Sequence, residues 1–281
     1  MEAPSRYASV LRPGLFAGQL HWVTGGGSGI GRCVAHELAS LGATVVLSGR
    51  TAEKLARVAA EIGEDGGRAI TRAFDIRDEE AVKANIADVV AGHGAIHGLV
   101  NNAGGQFPAP LMAIGKRGFE AVVANNLTGG FLMMREVFLQ SMQQHGGAIV
   151  NMTADFRNGM PGMGHSGAAR AGMSNLTMTA AFEWAHAGVR VNAVAPGWIA
   201  SSGMDNYPPE AADMLRAMPR TVPLRSTHSS WICARLASST SKNAPTAATR
   251  SDEDFSPRRR WKMALRREYG TCLATPIDIT T

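Results

Sequence analysis

Residues 24–31 read Thr-Gly-Gly-Gly-Ser-Gly-Ile-Gly and stand where an apolar run, Leu20 to Val23, hands over to a stretch with helical spacing, Cys33 to Leu41. Glycine suits such a corner for two reasons: it tolerates positive φ, and without a Cβ it lets a ligand approach the main chain. The helix that follows offers unpaired N–H donors and a partial positive charge at its start. Together these predict a cradle for a dinucleotide phosphate, built from Thr24, Gly25, Ser28, Gly29, Ile30 and Gly31. A tight turn without a ligand is the competing reading, and the order strand, turn, helix favours the cradle.

The rest of the chain keeps this rhythm. Strands are predicted at Ala43–Ser48, Ala69–Phe74, His97–Val100, Ala148–Met152 and Val189–Val194, interleaved with helices at Ala52–Ile62, Ala81–Val90, Phe119–Gln144 and Ser166–His186. Such alternation predicts right-handed crossovers and an α/β fold, a doubly wound parallel sheet with helices on both faces. Ligands of these sheets sit beyond the carboxyl ends of the strands. The helix over Phe119–Gln144 is interrupted in character by Asn126-Leu127-Thr128-Gly129-Gly130. Each glycine there costs about 1 kcal/mol of helix propensity, so something other than helix stability selects it.

The second strand ends in Gly49-Arg50, with no acid to receive a ribose 2′-hydroxyl. The arginine fork matches a 2′-phosphate, which points to NADP(H); a plain surface turn is the alternative. Asp75 reads either as an acceptor for an adenine amino group or as the cap of the helix that begins near Asp78.

Composition narrows the classes. The formal charge is +5, but residues 1–225 hold 19 Lys+Arg against 18 Asp+Glu, while residues 226–281 hold 9 against 5. The basicity belongs to the tail, which argues against a nucleic-acid partner. No apolar run reaches the ~18 residues that would span a bilayer, so no membrane partner is expected. Cys33, Cys233 and Cys272 are too scattered for a disulfide framework or a metal site, and with no signal-peptide pattern a cytoplasmic location is expected. The methionines, among them Met112, Met160 and Met163, read as core packing, with some available to line an acyl pocket.

Across most of residues 15–225 the chain resembles the short-chain dehydrogenase/reductase family. The matching pieces are the glycine turn, Asn-Asn-Ala-Gly at 101–104, Asn-Leu-Thr-Gly at 126–129, Ile-Val-Asn-Met-Thr at 149–153 and Arg-Val-Asn-Ala-Val-Ala-Pro-Gly at 190–197. The resemblance implies a single Rossmann-like domain, assembled as a homodimer or homotetramer through the two long helices. It implies that Gly25, Gly29 and Gly31 approach the pyrophosphate and that Asp75 with Ile76 meets the adenine. Asn102, Ala103 and Gly104 would line the coenzyme, Pro196, Gly197 and Ile199 would border the nicotinamide, and Asn126 would hold a water of the proton relay.

One departure stands out. The family's signature is a Tyr followed four residues later by a Lys, yet Tyr7, Tyr207 and Tyr269 are followed at that spacing by Leu11, Ala211 and Leu273. By register, the Tyr falls on Ser166, the Lys on Arg170, and the family's catalytic Ser on Thr153 or Ala154. The stretch His-Ser-Gly-Ala-Ala-Arg-Ala-Gly at 165–172 is similar to peroxisomal-type trans-2-enoyl-CoA reductases, and more distantly to 2,4-dienoyl-CoA reductases. Reduction of a ketone makes an alkoxide that needs a tuned acid. Reduction of an enoyl thioester makes an enolate whose oxygen needs only donors. Ser166, Thr153 or an Asn126-held water could serve, and Arg170 would hold the nicotinamide ribose as a permanent cation. An acyl-CoA or other small molecule is the implied substrate. A carbonyl or alcohol oxidoreductase with an unusual donor, and an inactive nucleotide-binding relative, stay open. Residues 1–14 read as an extension. Residues 226–281 read as an atypical basic tail that lacks the family's final Asp-Gly-Gly and seventh strand.

Overall fold

The computed structural model describes residues 9, 11–197 and 199. The 226–281 tail, the seventh strand and all three tyrosines lie outside the described residues.

Among the described residues, six strands form one parallel sheet: Leu20–Thr24 (β1), Thr44–Gly49 (β2), Arg68–Ala73 (β3), Gly98–Asn101 (β4), Gly147–Met152 (β5) and Val189–Val194 (β6). Their order is β3-β2-β1-β4-β5-β6, so the direction of winding reverses between β1 and β4. That reversal opens a crevice at the carboxyl ends of the two central strands. Successive side chains point to opposite faces of a strand, and β1 follows this strictly. Leu20 and Trp22 join a core with Ile86, Leu99, Met133, Val137 and Ile149. Val23 joins Val45, Leu47, Leu55, Val58 and Ile62 on the other side.

Helices Gly29–Ser40 (α1) and Ala52–Glu64 (α2) cover that second face. Glu79–His93 (α3), Gly129–Val137 (α5) and Gly164–Glu183 (α7) cover the first. Between α3 and α7 runs one long helical rod: Lys116–Val123 (α4), a widened π turn at Ala124–Thr128, α5, a second π turn at Phe138–Met142, and Gln143–His145 (α6). The first π turn falls on the Asn-Leu-Thr stretch that the sequence marks as interrupted. Such single-turn bulges inside helices are frequent at functional sites. Here it buries Asn126, which is 2% exposed.

Most element boundaries move by one to a few residues from the sequence reading, and three differences bear on the site. Helix α1 begins at Gly29 rather than Cys33, so the last glycines of the turn are already helical. Asp75 is not the cap of α3: Asp78 is, accepting from the Ala81 N–H at 3.1 Å. Helix α7 starts at Gly164 rather than at Ser166, with Met163 before it, which places Ser166 inside the first turn.

Candidate active site

At the carboxyl end of β1, the Thr24 side chain joins the two central strands. Its Oγ1 accepts from the main-chain N–H groups of Asn102 at 3.0 Å and Ala103 at 2.9 Å. Asn102 returns the link, donating through Nδ2 to the Thr24 carbonyl at 2.9 Å. The glycine loop is fixed against this seam. Gly25 has φ +65° and Gly29 φ +53°, where a side chain would be strained. Gly31 plays a different part: a Cβ there would overlap the Gly25 carbonyl oxygen, so its bareness serves helix-to-turn packing.

Beyond the loop lies an open cleft. Gly25, Ser28, Asp75, Ile76, Ala103 and Gly104 line it, as do Arg50, Thr51, Lys54 and Asn125. Thr24, Gly29, Ile30 and Gly31 are not among its lining residues. The first turn of α1 carries no acid, and the Ser28 side chain makes no capping bond. A helix start left open in this way, with Arg50 and Lys54 on the same cleft, fits a phosphate-bearing dinucleotide. Asp75 accepts from Arg77 at 2.6 and 2.9 Å. That hydrogen-bonded guanidinium holds its carboxyl below the usual carboxylate range.

Across the crevice, α7 meets the loop after β4. Arg170 donates through Nη1 to the Met152 carbonyl at 2.5 Å and through Nη2 to Asn126 Oδ1 at 3.1 Å. Burial lowers its guanidinium to about 10, so it stays charged at neutral pH. Asn126 also accepts from the Gly105 N–H at 2.9 Å and donates to the Gly105 carbonyl at 2.8 Å. The loop is therefore held by both main-chain groups of one residue. One helical turn before Arg170, Ser166 donates to Gln106 Oε1 at 3.1 Å. Thr153, just past β5, donates its hydroxyl to the Val194 carbonyl at 3.1 Å.

Asn126, Ser166 and Arg170 thus converge on one loop, with Thr153 beside them at the end of β5. Pro196, Gly197 and Ile199 follow the carboxyl end of β6, at the same end of the sheet. Sequence reasoning missed Gln106 and Lys54. Both stood beside residues it had marked, Gln106 after Asn-Asn-Ala-Gly-Gly and Lys54 one turn past Arg50. His165 is fully buried, with no hydrogen-bond partner among the described residues on either ring nitrogen, and packs edge-on against Phe107 at 4.5 Å. Met133, Met134, Met142, Met163 and Met173 are buried, whereas Met112 is 98% exposed.

A family model described as short chain dehydrogenase matches residues 19–212. The peroxisomal 2,4-dienoyl-CoA reductase of Danio rerio is 33% identical over 208 residues, 73% of this chain and 69% of the relative. Among solved structures, the citronellol catabolism dehydrogenase AtuB of Pseudomonas aeruginosa PAO1 is 66% identical, with a TM-score of 0.67 over 69% of this chain and 80% of that one. An NAD+-bound xylitol dehydrogenase is 30% identical, with a TM-score of 0.71 over 76% of this chain and 88% of that one.

Proposed function

Because the chain belongs to the short-chain dehydrogenase/reductase family, we propose that it is an NADPH-dependent reductase of the carbon–carbon double bond in a trans-2-enoyl thioester such as an acyl-CoA. The family's chemistry is oxidation or reduction of a small molecule with a nicotinamide cofactor, and the finer assignment is our reading. The observation that carries it is the pair at positions 166 and 170. A hydroxyl and a guanidinium stand where the family pattern has its tuned acid and its lysine, and neither is suited to protonate an alkoxide.

The cofactor supplies a hydride when bound. With the hydride on the β-carbon, the double-bond pair shifts to leave an enolate on the thioester, and a proton taken up at the α-carbon completes a saturated acyl thioester. In this reading Gly25, Ser28 and Gly29 hold the pyrophosphate, with Thr24, Ile30 and Gly31 shaping the turn. Arg50, helped by Lys54, pairs with the 2′-phosphate, and Asp75 with Ile76 borders the adenine. Asn102, Ala103 and Gly104 line the coenzyme, and Pro196, Gly197 and Ile199 border the nicotinamide. Arg170 holds the ribose and keeps a fixed positive charge near the developing enolate. Asn126 holds the 104–105 loop and Arg170 in register, with its second amide N–H toward a relay water. Thr153 and Ser166 complete the polar corner.

The name of AtuB places that protein in citronellol catabolism, which favours a branched isoprenoid acyl group as substrate. The same name supports a second reading, oxidation of an isoprenoid alcohol. That reaction needs a group to take the alcohol's proton, and neither Ser166 nor Arg170 is a base at neutral pH. The test is NADPH consumption with crotonyl-CoA and a 3-methyl-branched enoyl-CoA, beside a ketone panel and citronellol with NADP+. Turnover of the thioesters is the expected result; turnover of ketones or alcohols alone would refute the reading.

The long helical rod and α7 are proposed as a homodimer or homotetramer interface. Met178 and Phe182, one turn apart on α7, are 64% and 87% exposed.

A further inference from the structure

Beside the polar corner lies an apolar surface that stays bare. Leu111 and Met112, in the short helical turn Leu111–Ala113 of the loop after β4, are 73% and 98% exposed. An apolar side chain exposed singly is ordinary, but these two are grouped with Phe107, 39% exposed, and part-exposed Met160. Leu111, Phe107 and Met160 all meet the first turn of α7. A Cβ at Gly164 would come within 2.9 Å of Leu111 Cδ1, and one at Gly167 within 3.2 Å of Met160 Cβ. Phe107 packs against His165 between them. Ser166 belongs to this same turn, so the apolar ridge begins where the polar corner ends. The ridge is also anchored. The Ala109 N–H donates to the Gly162 carbonyl at 2.8 Å, which ties the loop after β4 to the loop after β5. Phe107 lies against bare Gly118 of α4, and Pro108 and Pro110 fix φ on either side of Ala109.

We propose that this ridge receives the acyl chain of the thioester substrate, with Leu111 and Met112 as specificity-determining residues that favour a long or branched chain over a short one. The inference rests on the enoyl-thioester reading and gives the tail a place once the thioester stands at the polar corner. The acyl chain is the occupant continuous with that corner: a substrate held beside Ser166 has its next atoms within reach of Leu111 and Met160. The carrier end of an acyl-CoA holds amides and phosphates, which an apolar ridge would strip of water without pairing. Methionine suits a branched or irregular chain because its flexible thioether adapts to shape. Surface that is anchored beforehand receives a ligand at a smaller ordering cost. Crotonyl-CoA carries only a methyl beyond its double bond and stops at the corner, whereas trans-2-decenoyl-CoA extends a tail onto the ridge.

The test is kcat/KM for trans-2-enoyl-CoA substrates from crotonyl to decenoyl. In the wild type it is expected to climb by up to about fourfold for each methylene that leaves water. In the double variant Leu111→Ser, Met112→Ser the decenoyl-over-crotonyl ratio is expected to fall at least about tenfold, the worth of roughly two buried methylenes. The fall is carried by KM, because the contact is the same in the ground and transition states. NADPH affinity, read by fluorescence titration, stays within about twofold and reports that the fold is intact. Leu111→Met with Met112→Leu keeps the surface apolar, and its ratio stays within about threefold of the wild type. A flat chain-length profile in the wild type, or a ratio unmoved by the double serine variant, overturns the proposal and leaves the enoyl-thioester reading standing. A double serine variant whose mass in light scattering falls while its ratio holds also overturns it, and assigns the ridge to a second copy of the chain. Turnover of ketones with no turnover of any enoyl thioester overturns both.

Discussion

His21 sits at the amino end of the sheet, far along β1 from the cleft, with its ring against the bare Cα of Gly98 and its Nε2 paired with Gln19 Oε1 at 2.8 Å. Burial, aided by neighbouring His97, pushes its pKa down from 6.5 to about 4. An unfolded chain takes up this proton near pH 6.5 and the folded chain only near pH 4. Between those values the unfolded state binds more protons, so stability falls as the pH drops. The contribution is full above pH 6.5 and exhausted below pH 4. At about 1.4 kcal/mol per pH unit the loss across the window amounts to about 3 kcal/mol, a large share of a marginal stability. Urea unfolding of the wild type and of His21→Gln, followed by circular dichroism from pH 7 to pH 4, reads it directly. The variant starts lower at pH 7 and loses about 3 kcal/mol less on the way down. Parallel curves for the two proteins would refute the reasoning.

Gly31→Ala places a Cβ into the Gly25 carbonyl. It is expected to cost about 1–3 kcal/mol of stability by overpacking and to weaken NADPH binding, both measurable by thermal shift with and without cofactor. Arg50→Asp removes a charge-assisted pair and adds repulsion, so the NADPH-over-NADH preference should fall at least tenfold in kcat/KM. An unchanged preference would release Arg50 from the 2′-phosphate. Phe182→Asp, on the exposed face of α7, should lower the mass seen by light scattering without changing the circular dichroism spectrum.

The strands and their parallel sense follow from alternation, because central parallel strands read as short β-branched, apolar runs and their crossovers are right-handed, whereas the order of the strands comes from the structure. The glycine turn was legible for the same local reason. What local pattern could not carry is which polar group meets which. Ser166 and Gln106 are sixty residues apart, and only the packing of α7 against the loop after β4 makes them a pair. Asp75 and Asp78 have equal claims as a cap in one dimension, and the geometry of the turn decides for Asp78. The start of α1 was misplaced because glycine's low helix propensity hides a helix whose first residues are chosen for bareness. The interruption at Asn126 was visible as a cost, and its return, a widened turn that aims a buried carboxamide, was not.

Ser166 and Arg170 are one turn apart on α7, and through Gln106 and Asn126 they clasp the same short loop from two points. The site is thereby in phase with a single helix. Inserting one residue between positions 166 and 170 would swing one clasp away by about 100° and unfasten the loop, while the same insertion at the far end of α7 would leave both contacts in step.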